Sequence, residues 1–550
     1  MPRPQDLSRR HFVEAGAMAL GAGLLPLSPS TARPLDPSTS PPDLPDLPDL
    51  PVLEWTVPQF QAAFRGGRYT SLQVCRMYLD RIRGMDRRGP AVNSLIELNP
   101  DAESIARQLD AERKAGKVRG PLHGIPIVIK DNIATADRME TTAGSLALVG
   151  HKPPSDAFIV ERLRAAGVVI LGKTNLSEWA NFRSNNSTSG WSGRGGLTRS
   201  PYALDRNPCG SSSGTGVAIA ANFCAIGIGT ETDGSIVCPS SHNALVGIKP
   251  TVGLVSRSGI IPISHTQDTA GPMCRSVTDA AILLGVMAGA DSADPATRDA
   301  GAQVSDYSRF LDANGLKGAR IGVAREGFFG YSDAVDKLAE EAIALMKKAG
   351  AEVVDPADIP HANDYGSAEG VVLRYDFKHD IQAYLATLGA GAPKTLADLI
   401  AFNTAHAREE MPWFGQDSFE RSDKCGPLTD DAYVEAQAHC RRLSRTEGLD
   451  VAFADHRLDA IIAPTGGPAW TTDLVNGDHF GGSSSSPAAV SGYPSITVPM
   501  GQIFGLPVGL SFIGSAWSEG MLIKLAYAYE QASRARKPPA FMATVPPGPA

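Results

Sequence analysis

Apolar positions recur at helical spacing from Leu53 to about residue 120. TVPQFQAAF carries Pro in a first turn. TSLQVCRMYLDRIR sets Leu72, Cys75, Met77, Leu79 and Ile82 mostly on one stripe behind a Thr/Ser cap. SLIELN reads as a short strand, and PDAESIARQLDAERKAG as a helix with Pro at its first position and Gly at its end. The period then changes. GIPIVIKDNI, Gly124 to Ile133, is a short β-branched run, the pattern of a strand covered on both faces. SDAFIVERLRAAGVVILGKTN predicts a helix followed by a buried strand, VVILG, which makes the sheet at least partly parallel. ARIGVARE, AEVVD, LDAIIAP, SITVPM and VGLSFIG add strands, interleaved with helices such as VDKLAEEAIALMKKAG. With no internal repeat and no linker after residue 52, the pattern predicts one large α/β domain over residues 53–545.

The N-terminal stretch has a different character. SRRHF (Ser8 to Phe12) is a twin-arginine pair. The apolar run AGAMALGAGLLPL after it (Ala15 to Leu27) is too short to cross a bilayer, and Ser30-Thr31-Ala32 supplies a small-residue cleavage site. Residues 1–32 are expected to be a twin-arginine signal peptide, and residues 33–52, with their PDL repeat, an extended Pro-rich linker. The expected location is periplasmic or secreted, with no membrane attachment after signal removal. The formal net charge of −8 and the lack of a basic tract beyond the N-terminus argue against a nucleic-acid partner. The seven cysteines include no CxxC pair and the eleven histidines no HExxH, so neither a metal site nor a cofactor is expected. Most of the cysteines read as buried small hydrophobes, and a protein exported already folded has no need of disulfides.

Chemistry concentrates between Cys209 and Pro239, in CGSSSGTGVAIAANFCAIGIGTETDGSIVCP. Two serine-bearing, glycine-flanked places, Ser211 and Ser235, stand 24 residues apart on a backbone with few side chains. They suggest a nucleophile and an accomplice. Lys130, after the apolar run IPIVI, is the candidate base. Either it sits past the strand end and pairs with Asp131, or burial lowers its pKa and leaves a neutral amine near pH 7. Gly210 to Gly214 also satisfies G-x-S-x-G with Ser212 at its centre. That motif needs a preceding strand, whereas YALDRNPC is a turn sequence, and no later His has a suitable context. The same glycines and serines at a helix start could hold a phosphate, but no Walker lysine comes after them and GxGxxG is absent.

The series GIPIVIKDNI, LGKTNLSEWANF, CGSSSGTG, GTETDGSIVCP and GIKPTVGLVSRSGIIPISHTQDTAGPM, with SGYPSITVPMG and LPVGLSFIG later, resembles the amidase signature family in order and spacing over nearly all of the chain after residue 53. TETDGSIVCP and SGWSGRGG are similar, more narrowly, to the bacterial peptide amidases, which remove the C-terminal amide of peptides. The fold so implied is α/β, one large domain with a central mixed, mostly parallel sheet covered by helices on both faces. The resemblance implies Lys130 as base, Ser211 behind a cis peptide bond as bridge, and Ser235 as nucleophile. The N–H groups of Thr232, Asp233, Gly234 and Ser235 would form the oxyanion hole, with Gly210 and Ser212 in support. A broad aliphatic or aryl amidase is the alternative within the family; a glutaminase subunit of a tRNA amidotransferase fits poorly with an export signal. No obligate protein partner is evident. Two positions depart from the family pattern: Asp233 stands where Gly is usual, either bracing the loop or reading a substrate N–H, and Thr215 where Gly or Ser is commoner. Asn175, Glu178 and Asp268 read as loop braces, and Trp191 as pocket lining or simple packing.

Overall fold

The computed structural model describes residues 50–299 and 304–546; the expected signal peptide and all but the end of the expected linker lie outside them. Thirteen strands are present among these residues: β1 (Leu95–Leu98), β2 (Pro126–Lys130), β3 (Val169–Thr174), β4 (Trp191–Ser192), β5 (Gly196–Leu197), β6 (Ile226–Glu231), β7 (Val246–Lys249), β8 (Thr269–Cys274), β9 (Arg320–Val323), β10 (Glu352–Val354), β11 (Ala460–Pro464), β12 (Ser495–Ile503) and β13 (Leu506–Ile513). Eleven form one sheet in the order β1-β3-β2-β6-β8-β7-β12-β13-β11-β9-β10, while β4 and β5 make a separate ribbon.

Every residue of β2, β3, β6, β8, β11 and β13 is buried. Successive strand side chains point to opposite faces, so both faces of the sheet are covered. Helices do the covering: Ser213–Ala220 packs on β2 and β6, Val277–Met287 on β8, and Glu519–Ser533 on β12. Leu50 and Val52, at the end of the expected linker, are buried in the main core.

The sheet is mixed, but its parallel pairs are the minority. β3–β2, β2–β6, β11–β9 and β9–β10 run parallel; the other six pairs, including the hairpin β12–β13, run antiparallel. The expectation of a mostly parallel sheet is corrected here, and its cause is burial. Antiparallel strands announce themselves by polar alternation only when one face is wet, and here neither face is.

The parallel pair of β2 and β6 positions the site. The two are neighbours in register, Ile129 opposite Ile228, so their C-terminal ends emerge at the same sheet edge. Open sheets bind ligands in the crevice beyond such ends.

Candidate active site

Lys130 is the last residue of β2, and β6 ends beside it at Thr230 and Glu231. Strand pairing therefore delivers the amine to the start of the loop 232–235. Lys130 and Ser211 are fully buried, and Ser235 alone of the three reaches solvent, at 8% exposure. The Lys130 Nζ lies 2.7 Å from Ser211 Oγ, 2.9 Å from Thr230 Oγ1 and 3.3 Å from the Thr230 carbonyl. Lys130 makes no ion pair with Asp131; that carboxylate instead accepts from the Thr142 hydroxyl and pairs with Arg194 at 3.4 Å. Burial brings the Lys130 amine down from 10.5 to about 7, against the pull of the Asp268 and Glu231 charges. A neutral amine has two N–H groups and one lone pair. If the two Thr230 oxygens take the N–H groups, the lone pair is left for the Ser211 hydroxyl.

The Gly210-Ser211 peptide bond is cis. A Cβ on Gly210 would stand 2.2 Å from Ser177 Oγ, so no side chain fits there. Ser212 ties the loop down: its hydroxyl donates to the Thr230 carbonyl at 3.1 Å and accepts from Thr230 N at 3.2 Å, and its N–H donates to the Ser235 carbonyl at 3.2 Å. Thr215 is spent on the neighbouring strand, its hydroxyl 2.7 Å from Thr174 Oγ1.

Among the described residues, no acceptor takes the backbone N–H of Thr232, Asp233, Gly234 or Ser235. Four adjacent unpaired donors at a cavity wall can stabilise a developing oxyanion. The loop is held from outside. The Glu231 carboxylate accepts from Ile236 N at 2.7 Å and Val237 N at 3.0 Å, where the helix Val237–His242 begins. The Thr232 hydroxyl donates to Asp268 Oδ1 at 2.5 Å, and Asp268 Oδ2 accepts from Ile263 N and Ser264 N at 2.8 and 2.9 Å. Gln267 Nε2 donates to the Thr232 carbonyl at 3.4 Å and to Glu369 Oε1 at 2.9 Å. In a trans peptide unit the C=O and the next N–H point opposite ways, so drawing the Thr232 carbonyl outward turns the Asp233 N–H inward.

Asp233 braces the loop. Its carboxylate accepts from the Ser485 hydroxyl and, at 2.7 Å, from the Ser486 hydroxyl. Burial, and next the Asp233 charge, push the Glu369 carboxyl up to about 8.

A disulfide joins Cys209 to Cys238, with Cα atoms 6.0 Å apart. It links the residue before Gly210 to the helix that begins just after Ser235, a pairing that the sequence leaves open. Cys75, Cys224, Cys274 and Cys440 are buried thiols, as the hydrophobic reading has them.

The cavity at Ser235 has a volume of about 350 Å³, with Asp233, Ser485 and Ser486 among its polar lining and Phe182, Leu373 and Phe480 among its apolar lining. A second cavity of about 300 Å³, lined by Asn132, Thr230 and Asp268, shares Ala180, Thr232 and Ile263 with it. The remaining candidate residues of the sequence are structural. Asn175 bonds Gly196 O and Thr198 Oγ1 at 2.9 and 3.0 Å. Glu178 pairs with fully buried Arg183 at 2.8 Å. Trp191 packs edge-on against Phe414. The roles of Thr230, Glu231, Gln267, Glu369 and the disulfide are not evident from the sequence. Thr230 and Glu231 sit inside the motif GTETDGS, whereas Glu369 has no local signal at all.

An arrangement that can activate one hydroxyl through a second, with an amine at the end and no histidine, is that of a serine hydrolase. Residues 73–523 match the amidase family, and the chain belongs to it. Among solved structures, the native peptide amidase of Stenotrophomonas maltophilia shares 53% sequence identity with a TM-score of 0.86, over 89% of this chain and 99% of that one. Peptide amidase PAM in complex with the competitive inhibitor chymostatin gives a TM-score of 0.87 at 53% identity, over 89% of this chain and 100% of that one. An Arabidopsis thaliana protein named "Probable amidase" is 39% identical over 502 residues, 90% of this chain and 92% of that protein.

Proposed function

We propose that this amidase hydrolyses the C-terminal carboxamide of peptides to carboxylate and ammonia through an acyl-enzyme on Ser235. The observation that carries the mechanism is the buried Lys130 amine, 2.7 Å from Ser211 Oγ and with its pKa brought down to about 7. Neutral Lys130 takes the Ser211 proton while Ser211 takes that of Ser235, whose oxygen bonds to the amide carbon. The carbonyl oxygen gains negative charge and is met by N–H groups of the loop 232–235. As the C–N bond breaks, the proton returns from Lys130 through Ser211 to the nitrogen, and ammonia leaves. Water then attacks the acyl carbon along the same relay, releasing the carboxylate and restoring the Ser235 hydroxyl.

The peptide as substrate class is supported by the 53% identity to a peptide amidase and by a cavity lined by both polar and apolar side chains. Ammonia release from a panel of peptide amides, simple aliphatic and aryl amides and free glutamine tests it. Peptide amides are expected to give the highest kcat/KM; a preference for simple amides or glutamine overturns the peptide reading. We also propose export by the twin-arginine route. Replacing Arg9 and Arg10 with lysines should hold the enzyme in the cytoplasm, and undiminished export refutes this.

A further inference from the structure

Among the large apolar side chains left exposed, Phe480 is the one that lines the nucleophile cavity; it is 56% exposed. It belongs to the segment 465–485, which contains no helix or strand and whose two ends meet at the bridge between Gly466 and Ser483. A ring on a long irregular segment would ordinarily be free to move. This one is fixed on both sides in sequence. Before it, the Asp478 carboxylate accepts from Ser189 N at 3.1 Å. After it, Ser485 and Ser486 are bonded to Asp233 on the oxyanion loop.

The ring is also held from beneath. Its centroid lies 4.6 Å from that of Trp470, which in turn packs edge-on against His242, at the end of the helix that begins after Ser235. The Trp470 carbonyl accepts from Asn207 N at 2.8 Å, two residues from the disulfide. One side of Phe480 is thus packed on a rigid support coupled to both reactive loops, while the rest of the ring is presented to solvent at the cavity.

We propose that Phe480 is a specificity-determining residue, a preorganised aromatic platform for an apolar side chain upstream of the C-terminal amide. This rests on the peptide-amide reading above. At about 350 Å³ the cavity is at the small end for ligand sites, so a peptide whose last carbonyl reaches Ser235 has to leave through the mouth. An aromatic already held in place loses little conformational freedom when it is covered, which is what makes such anchors effective. Asp233, Ser485 and Ser486 also line the cavity, but their side-chain polar atoms are committed to each other, which leaves the apolar lining to discriminate among side chains.

The test compares N-acetylleucinamide, N-acetylglycylleucinamide and N-acetylphenylalanylleucinamide on the wild-type enzyme, Phe480→Ser and Phe480→Tyr. Wild type should favour the phenylalanyl over the glycyl dipeptide amide by about three- to tenfold in kcat/KM, mostly through KM, as an aromatic contact supports. The ratio should fall to about one in Phe480→Ser and be kept in Phe480→Tyr. A wild type without the preference, or a Phe480→Ser that lowers all three substrates alike, overturns the platform. A wild type that turns over propionamide but none of the three peptide-like amides overturns the peptide reading itself, and the platform with it.

Discussion

Lys130 should set the pH dependence of turnover. A lysine with the ordinary value of 10.5 is neutral in only about one molecule in 3,000 at pH 7. Burial brings this amine to about 7, so half of it is neutral there. The difference corresponds to about 5 kcal/mol of preference against the charged form. Because the deprotonated amine is the working form, activity is gained as pH rises through the folded-state value and lost as it falls. On a peptide amide, kcat/KM should lie near its plateau at pH 8, at about half at pH 7 and at about one hundredth at pH 5. Lys130→Ala removes the base and should lower kcat about 10²–10⁴-fold. Lys130→Arg keeps a donor that cannot be deprotonated, and should be as poor with no acid limb near 7. The assay is steady-state ammonia release between pH 5 and 9 at constant ionic strength. A flat profile over that range, an acid limb centred near 10, or a Lys130→Ala enzyme within tenfold of wild type refutes the relay.

Ser235→Ala should be inactive and should not gain mass from a fluorophosphonate that modifies the wild type; Ser211→Ala should lose at least about 100-fold in kcat, and near-normal turnover in either shows that the relay is misassigned. Gln267→Leu releases the Thr232 carbonyl and so the aim of the Asp233 N–H. It should cost about tenfold in kcat with little change in KM, less than loss of a direct oxyanion donor, and an unaltered kcat counts against the bracing role. Cys209→Ser opens a cross-link between positions 29 residues apart. The loop length suggests a loss of about 3.6 kcal/mol, and inactivation at fixed temperature should be faster, as should that of wild type under reductant; equal half-lives show that the cross-link does not stabilise the fold.

The parts of the site that lie within short motifs are legible in the chain. Lys130 can be placed because an apolar run precedes it on a strand, and Ser211 and Ser235 because glycines isolate them. Asp268 reads as a brace and is one, and Asp233 takes the bracing role that its departure from the family pattern leaves open. The rest depends on contacts between distant segments. Glu369 lies on a long helix with no chemical marking, and only folding brings it to Gln267. Cys209 and Cys238 are two of seven cysteines, and spacing alone does not pair them. The sheet's direction of pairing is hidden for a different reason. Strands such as β13 are covered on both faces, so their composition is the same whichever way the neighbour runs.

Sulfur closes residues 209–238 into a ring, and both hydroxyls of the relay lie within it while the amine lies outside. A single cut of the chain between Ser211 and Ser235 therefore cannot part the two serines.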